Sequence, residues 1–307
     1  MKSAPILLSA VRQFFSRPAR LNAASFIFRE ISKRMIERLE LVRLDPEQVV
    51  DAGCGDGSDV ALLQCKFPKA QVIGVDGSVA MLQHALRRGV SAVTTESGLV
   101  RAKRLLDKWW PSAAKVENNR LVCADFSNLP FGAQHANVLW SNLALHWHPQ
   151  PDVVFAEWRR VLKVDGLLMF SCFGPDTLKE IRLAFQDVDQ APHTLPFVDM
   201  HDFGDMLTQA GFATPVMDME VITLTYTTVA QLIAEVRALG GNPLANRRQG
   251  LMGRSAWKKM CDNLEKQRQP DGRIALTLEI IYGHAFKPQA KRTADGESII
   301  KFHSSKK

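Results

Sequence analysis

The sequence predicts an α/β fold in which a doubly wound sheet, mostly parallel, carries an antiparallel last strand. Short β-branched segments alternate with amphipathic helical ones, and a glycine-rich turn directly follows the first of these segments. The two last strand-like segments are separated by a long helical span without such a turn. With 307 residues, of which 46% are hydrophobic, the chain is long enough to bury a full core.

The order of the predicted elements follows from their periodicity. Residues 24–42 carry apolar side chains three or four positions apart, which predicts an amphipathic helix. Strands at 48–52 and 71–76 flank the glycine turn and a helix, which makes a βαβ unit. The later predicted elements are strands at 120–125 and 137–142, a helix at 151–162, and strands at 166–173, 221–226 and 273–286.

Two stretches look inserted into this alternation. Residues 91–118 are longer than an ordinary α/β connection, and residues 227–270 contain two helical segments that would form a lid over the carboxyl edge of the sheet. We therefore expect an N-terminal helical segment at 1–44, one main domain at 45–287, and a basic, disordered tail at 288–307.

The net charge of +7 is unevenly distributed. Residues 287–307 hold six Lys or Arg against two acids and so supply +4 of it. Residues 236–260 hold six Lys or Arg without an acid, which suits either an acidic partner or a solvated helix face. Before Glu30 the chain has no acid, and its composition resembles an organelle transit peptide, so a targeting role stays open. The arginines of this acid-free stretch are Arg12, Arg17, Arg20 and Arg29.

The cysteines and the hydropathy indicate the class of protein. Five cysteines are scattered without a CxxC pair, which predicts reduced, mostly buried thiols of a cytoplasmic protein rather than a zinc site. No run of 18 apolar residues suggests a membrane span. We expect no metal, no nucleic-acid partner and no membrane partner.

The glycine turn restricts the class of ligand that the chain is expected to bind. VVDAGCGDG places Gly53, Gly55 and Gly57 directly after the first strand. A dinucleotide fingerprint would have its third glycine where this chain has Ser58. Asp51 precedes the turn, and its carboxylate would repel a pyrophosphate but suits a ligand with an ammonium group.

Acids also end the next two strands. Asp76, followed by Gly77, is placed to accept the hydroxyls of a ribose, and Asp125 with Phe126 can meet the amino group and face of an adenine. Each acid alone would be a turn residue or a helix cap, but three at successive strand ends favour a ligand. An ammonium, a ribose and an adenine without phosphate describe S-adenosylmethionine, with S-adenosylhomocysteine as its product.

These motifs resemble those of the class I methyltransferase superfamily. Residues 51–57 resemble its first motif, and Asp76 and Asp125-Phe126 resemble its strand-end acids. The resemblance implies a Rossmann-like fold, S-adenosylmethionine as the cofactor, and Asn142 beside the methyl donor. The implied cofactor-binding residues are Asp51, Gly53, Gly55, Asp76, Gly77, Asp125, Phe126 and Asn142.

Segments outside these motifs resemble a narrower family, the malonyl-acyl-carrier-protein O-methyltransferases of biotin synthesis. They include REISKRMIERL, SNLALHW, FGPDTLKEIR, LPFVDMHDFGDMLTQAGF and IIYGHAF. The resemblance implies methyl transfer from S-adenosylmethionine to the free carboxylate of malonyl-acyl-carrier protein, an early step of biotin synthesis, with the acidic carrier protein as a transient partner.

Several alternatives stay open at this point. Related sequences with the same blocks include an arginine-modifying assembly factor of respiratory complex I, and another methyltransferase, a hydroxylase or a non-enzymatic cofactor-binding assembly factor would use the same motifs. The chain also departs from the family pattern. Ala136-Asn137 stands where Phe-Asp is usual, and Leu21 stands where many members have a tyrosine near the active-site mouth.

The acceptor chemistry sets expectations for the remaining polar residues. A carboxylate is already ionised at neutral pH, so no general base is needed. His146 is therefore expected to orient groups near the methyl, or only to pack, while His148 starts the next helix in solvent. Arg182 or Arg247 is expected to hold the malonyl carboxylate, and Arg248 to join them in binding the carrier-linked substrate.

Overall fold

The computed structural model describes residues 4–91 and 120–289, and their centre is a seven-stranded sheet of order β3-β2-β1-β4-β5-β7-β6. The strands are β1 (Gln48–Ala52), β2 (Gln71–Asp76), β3 (Arg120–Cys123), β4 (Ala136–Ser141), β5 (Leu162–Phe173), β6 (Ala213–Tyr226) and β7 (Ile274–Phe286). Strands β1 to β5 pair in parallel, and β7 pairs antiparallel with both β5 and β6. The predicted doubly wound fold is confirmed.

Helices cover both faces of the sheet and its carboxyl edge. They are α1 (Leu8–Phe15), α2 (Ser25–Leu39), α3 (Ser58–Lys66), α4 (Val79–Ser91), α5 (Pro151–Val161), α6 (Lys179–Phe185), α7 (Met200–Gln209), α8 (Val229–Ala238) and α9 (Arg254–Glu265), with 3₁₀ turns at Pro18–Ala24 and Leu145–Trp147. The predicted insertion at 91–118 and the predicted tail at 288–307 lie, except for their first residues, outside the described residues. The proposed domain bounds remain predictions.

The central strands form because their side chains are buried on both faces. β1 and β2 are runs of buried apolar residues, as expected for parallel strands between two helical layers. On one face α2 packs its apolar stripe, with Ile31 and Met35 fully buried, against the sheet. On the other face Phe155 and Trp158 of α5 pack against Phe170 of β5. These two layers leave the carboxyl ends of the parallel strands open for a site.

The edge strand β6 begins at Ala213, eight residues before the predicted start at 221. Its side chains alternate between exposed and half-buried, which is the pattern of a sheet edge. Asp218 and Glu220 interrupt its apolar pattern, but they pair with two arginines of α2, Arg38 and Arg34, at 2.6 and 2.5 Å. These ion pairs explain why two acids occur in the strand. The same acids break the apolar pattern, which is why the sequence does not predict residues 213–220 as part of the strand.

The expectation of mostly buried thiols is wrong for two of the five free cysteines. Cys54 and Cys172 are buried, but Cys65 and Cys123 are exposed because they lie on the outer side of α3 and at the end of the edge strand β3. Among the described residues, no cluster of His, Cys, Asp or Glu could hold a metal ion. Within the same ranges, no helix has the length and apolar composition needed to cross a membrane.

The N-terminal segment is tied to the stretch after α8. The backbone N–H of Leu7 donates to the carbonyl of Pro243 at 3.0 Å, and that of Ala245 donates to Pro5 at 2.8 Å. The 3₁₀ turn at Pro18–Ala24 packs against α8. These contacts hold α1 and the turn over the carboxyl edge of the sheet.

Candidate active site

A cavity of about 470 Å³ opens at the carboxyl ends of β1, β2 and β4, a volume typical of small-molecule sites. The glycine turn, the start of α4 and the loop after β4 line its floor. Its cover is the N-terminal segment, through α1, the first 3₁₀ turn and the start of α2. No described residue of 227–270 lines the cavity. This predicted lid instead packs against the N-terminal segment that covers the cavity.

The glycine turn has a backbone conformation that other residues adopt with difficulty. Gly53, Gly55 and Gly57 have φ values of 85°, 51° and 73°. A Cβ on Gly53 would lie 2.3 Å from the Cβ of Ala144. The N–H of Gly53 also donates to the carbonyl of Val75 at 2.8 Å, so the turn is fixed between two strands.

Asp51 brings an unmatched carboxylate to the cavity. It is 1% exposed and lines the cavity, and its Oδ2 is buried without a hydrogen-bond partner among the described residues. Burial raises the pKa of Asp51, and the nearby carboxylates of Asp59, Asp76 and Asp56 raise it further. A buried acid of this kind is stabilised by a cation, so the site fits the ammonium group of S-adenosylmethionine.

Asp76 is held in place by two backbone N–H groups. Its Oδ2 accepts from Gly55 at 2.9 Å and its Oδ1 accepts from Ser78 at 2.7 Å. Burial raises the pKa of Asp76, and these two hydrogen bonds act in the opposite direction. The carboxylate, next to Gly77 in the cavity wall, keeps lone pairs that can accept from the two hydroxyls of a ribose.

Asp125 and Phe126 line the cavity together, as the sequence predicts. The Asp125 Oδ1 accepts from both the N–H and the hydroxyl of Ser127, at 2.9 and 2.7 Å. Partial burial acts to raise the pKa of Asp125, but these bonds and the charges of His148 and Arg12 outweigh it and hold that pKa below its ordinary value. The carboxylate stays ionised and can accept from an amino group.

Asn142 lies at the end of β4 and lines the cavity. Its Nδ2 donates to the carbonyl of Phe28 in α2 at 3.0 Å, and its Oδ1 accepts from the Ser171 hydroxyl at 2.9 Å. Asn142 therefore joins the cover of the cavity to β5.

The sequence pattern does not single out the second buried acid, Asp59 of α3. It lines the cavity and accepts from the Ser32 hydroxyl at 2.7 Å and from the indole N–H of Trp140 at 2.8 Å. Burial raises the pKa of Asp59 and these bonds lower it. An acid in the first turn of a helix is common for electrostatic reasons alone, so its sequence position did not distinguish it.

The two histidines of the HWH stretch lie in different places. His146 packs against Trp147 and Phe173 with both ring nitrogens buried, and it does not line the cavity. Burial lowers the pKa of His146 to about 3, so the ring is neutral. The expectation that His148 lies in solvent is wrong: it is 8% exposed, lines the cavity and meets Phe126 edge-on.

Trp147, between these histidines, anchors the N-terminal segment. Its ring stacks on Phe14 and meets Phe15 edge-on, at centroid distances of 6.4 and 5.6 Å. On the other side it leaves no room for a side chain at Gly240, whose Cβ would lie 2.1 Å from the ring. Trp147 also lines the cavity, so one side chain contacts both the N-terminal segment and the site.

The three arginines predicted to bind substrate do not line the cavity. Arg182 donates to the carbonyls of Thr177 and Pro175, both at 2.6 Å, and so holds the loop after β5. Arg248 pairs with Asp189 at 2.9 Å, and Arg247 is exposed. The structure therefore does not bring these three residues to the place where a methyl acceptor would bind.

Three other arginines line the cavity. Arg12 pairs with Asp125, and Arg88 pairs with Asp56. Among the described residues, Arg29 makes only long hydrogen bonds to its own helix, from Nε to the Ser25 carbonyl at 3.4 Å and from Nη2 to the Ser25 hydroxyl at 3.5 Å. Within the described ranges, Arg29 is thus the lining arginine whose charge has no carboxylate partner.

Comparisons with known proteins agree with this geometry. Residues 50–170 match the family model described as a methyltransferase domain. A malonyl-acyl-carrier-protein O-methyltransferase of Gallionella capsiferriformans is 45% identical over 95% of both chains. Its counterpart in Laribacter hongkongensis is 43% identical over 96% of this chain and 95% of that one.

Solved structures share the fold at low sequence identity. The YcgJ protein of Bacillus subtilis has a TM-score of 0.54 at 16% identity, over 84% of this chain and 98% of that chain. A Haemonchus contortus phosphoethanolamine N-methyltransferase bound to S-adenosylhomocysteine has a TM-score of 0.52 at 17% identity, over 91% of this chain and 61% of that chain. The two relatives match this chain over at least 95% of its length, and the cavity with its strand-end acids agrees with them. The chain therefore belongs to the malonyl-acyl-carrier-protein O-methyltransferase family of S-adenosylmethionine-dependent methyltransferases.

Proposed function

We propose that the chain transfers a methyl group from S-adenosylmethionine to the free carboxylate of malonyl-acyl-carrier protein, forming a methyl ester early in biotin synthesis. The similarity to relatives of that name, over 95% of both chains, carries this proposal. The unmatched carboxylate of Asp51 supports it from the structure, because a cationic methyl donor would neutralise this buried charge.

The cofactor would bind along the three strand ends. Asp51 would face its ammonium group, Asp76 its ribose, and Asp125 with Phe126 its adenine. Gly53, Gly55 and Gly77 would let the backbone approach it closely, and Asn142 would place the end of β4 beside its methionine part. S-adenosylmethionine supplies a methyl group bound to a positively charged sulfur.

The transfer requires no proton movement. An oxygen lone pair of the acceptor carboxylate would form the new O–CH₃ bond while the S–CH₃ bonding pair would stay on sulfur, so two opposite charges would be neutralised. A neutral His146 outside the cavity is consistent with chemistry that needs no base. The work of the protein is to align the two reactants and to exclude water.

The acceptor carboxylate needs a cation in a cavity that is rich in acids. Asp51, Asp59 and Asp76 would repel it, while Arg12 and Arg88 are already paired. We therefore assign the malonyl carboxylate to Arg29, in place of the arginines expected from the sequence. Its present hydrogen bonds are long and easily exchanged for a bidentate carboxylate pair.

The apolar wall next to Arg29 suits the acyl part of the substrate. Leu21, Phe28 and Leu8 line the cavity on the same side. Leu21 is the residue at the position where many family members have a tyrosine, so this chain presents a more apolar surface there. We further propose that the enzyme works in the cytoplasm, where its five unpaired cysteines would stay reduced.

Complementation of a biotin auxotroph that lacks this methylation step tests the proposed function. Expression of the unaltered chain should restore growth without biotin, and expression of the Asp51→Asn variant should not. Failure of the unaltered chain, present at normal level and able to bind S-adenosylmethionine, would contradict the proposal.

A further inference from the structure

The acid-free N-terminal stretch is folded against the cavity. Its four arginines and Lys2, with no acid before Glu30, give it a formal charge of +5. We call these residues, Arg12, Arg17, Arg20 and Arg29, the N-terminal arginine face. All four are exposed, although Arg12 and Arg29 also reach the cavity.

Arg17 and Arg20 flank the cavity mouth without being used inside it. Their neighbours in the chain, Pro18 and Leu21, line the cavity. In the described part of the chain neither arginine forms an ion pair, so both charges face solvent. A substrate arm that enters beside Pro18 and Leu21 would bring its carrier against these two side chains.

Three of the six basic residues of the patch at 236–260, which the sequence favours for the carrier, are ion-paired in the structure. Lys258 pairs with Asp262 at 2.7 Å and Lys259 with Asp187 at 3.0 Å. Arg248 pairs with Asp189 at 2.9 Å. No described residue of this patch lines the cavity. Its acids come from outside the stretch, which is why the sequence pattern alone overstated its charge.

We propose that the N-terminal arginine face is the docking surface for the acidic carrier protein. The proposal rests on the proposed function, because it takes the carrier-linked malonyl group as the substrate. Opposite charge on the two partners speeds their encounter and fixes their orientation, and such attraction weakens with salt over a screening length of about 10 Å at 0.1 M. The cofactor would bind below this surface, and Arg17 and Arg20, which do not line the cavity, would leave its binding unchanged.

Charge reversal at the two free arginines tests the docking surface. In Arg17→Glu/Arg20→Glu, the KM for malonyl-carrier protein should rise about tenfold or more, since reversed rim charges repel the partner. The KM for a small malonyl thioester of N-acetylcysteamine, which has no carrier, should change less than about twofold. The Kd for S-adenosylmethionine should be unchanged, which also shows that the variant is folded.

A matched control changes the same charge on the opposite edge of the sheet. Arg43 and Lys69 are exposed residues before β1 and β2, so they lie at the amino edge, away from the cavity. Arg43→Glu/Lys69→Glu should leave both KM values unchanged. If the reversed N-terminal variant is unstable, Arg17→Gln/Arg20→Gln should give a smaller KM rise that disappears at high salt.

Four outcomes would overturn the docking surface. One is an equal KM change for the carrier-linked and the small substrate, and another is an unchanged KM for the carrier. A third is a carrier-specific KM rise in Arg247→Glu/Arg254→Glu alone, which would move docking to the 236–260 patch. The fourth is that the unaltered chain binds vesicles of anionic lipid and Arg17→Glu/Arg20→Glu does not, while the KM of this variant for malonyl-carrier protein stays normal. Turnover of malonyl-carrier protein by the unaltered chain tests the proposed function separately from these comparisons.

Discussion

Arg12 of α1 and Asp125, which follows β3, are 113 residues apart in the chain, and the guanidinium nitrogen lies 3.3 Å from the carboxylate oxygen. This ion pair joins the N-terminal cover to the strand-end acid expected to bind adenine. Its side chains are 60% and 30% exposed, so the pair alone is worth only about 0.2–1 kcal/mol.

A double-mutant cycle measures the contribution of this ion pair to cofactor binding. Arg12→Ala should weaken S-adenosylmethionine binding about two- to fivefold, because the cover then closes less firmly. Asp125→Asn should weaken it more, since the acceptor for the adenine amino group is lost as well. The two effects should not be additive when Kd is measured by calorimetry. Strict additivity would show that the pair has no part in closing the site.

The second prediction concerns Asp51 and pH. Burial raises the pKa of this carboxyl in the free protein, and a bound cation favours the ionised form and so lowers that pKa. Cofactor binding should therefore release a proton, and affinity should rise with pH through the window between the bound and the free pKa. Below that window the acid is protonated in both states, so the extra affinity is lost.

The Asp51→Asn variant should remove this dependence and weaken binding about 30-fold or more, the loss typical of a buried charge partner. Calorimetry in buffers of different ionisation enthalpy measures the released proton. Asp45→Asn, an exposed aspartate before β1, is the matched control and should keep the pH dependence. An equal pH dependence in Asp51→Asn would contradict the assigned role.

The third prediction concerns the glycine turn. Gly53→Ala places a methyl group 2.3 Å from the Cβ of Ala144 at a φ of +85°, so it should cost about 2–5 kcal/mol of unfolding free energy. Adding Ala144→Gly should restore part of this loss, because it removes the clash but not the backbone strain. Denaturant unfolding measures both. Gly132→Ala, with no atom within 4 Å of its Cβ, should change stability by less than about 0.5 kcal/mol.

The fourth prediction separates two carboxylates that Arg29 could bind. If Arg29 holds the malonyl group, Arg29→Ala should raise the KM for malonyl-carrier protein about tenfold or more, the loss of a charged hydrogen-bonded pair. The Kd for S-adenosylmethionine should stay within about twofold, and Arg29→Lys should recover part of the KM. Arg43→Ala should have neither effect.

The opposite pattern would assign Arg29 to the cofactor. In that case Arg29→Ala would weaken S-adenosylmethionine but not its decarboxylated analogue, and the KM for the acceptor would stay normal. Such a result would contradict the substrate assignment while leaving the proposed reaction in place.

The sequence was informative where the site depends on short-range order. Asp51, Asp76 and Asp125 lie at or just after the carboxyl ends of three parallel strands, and these ends meet at one edge of the sheet, so their convergence follows from the strand pattern. Gly53 and Gly55 follow from the same turn. These residues all line the cavity.

The rest of the site depends on contacts between distant segments, which periodicity does not encode. Trp147 packs on Phe14 and Phe15 only because the N-terminal segment folds back over the sheet. For the same reason Arg29 reaches the cavity, while Arg182 of α6 donates to carbonyls of the loop that precedes its helix. The one-signed charge of the N-terminal segment is visible in the sequence, but its packing over the sheet is not.

The most direct test of the proposed methyl transfer is incubation of the purified chain with S-adenosylmethionine and malonyl-carrier protein, followed by mass spectrometry of the carrier. We expect one added methyl group on the malonyl part, released by mild base as expected for an ester, and much less product from the Asp51→Asn variant at limiting S-adenosylmethionine. A methyl group on a protein side chain, or no methylated carrier from a chain that binds S-adenosylmethionine, would contradict the proposed transfer.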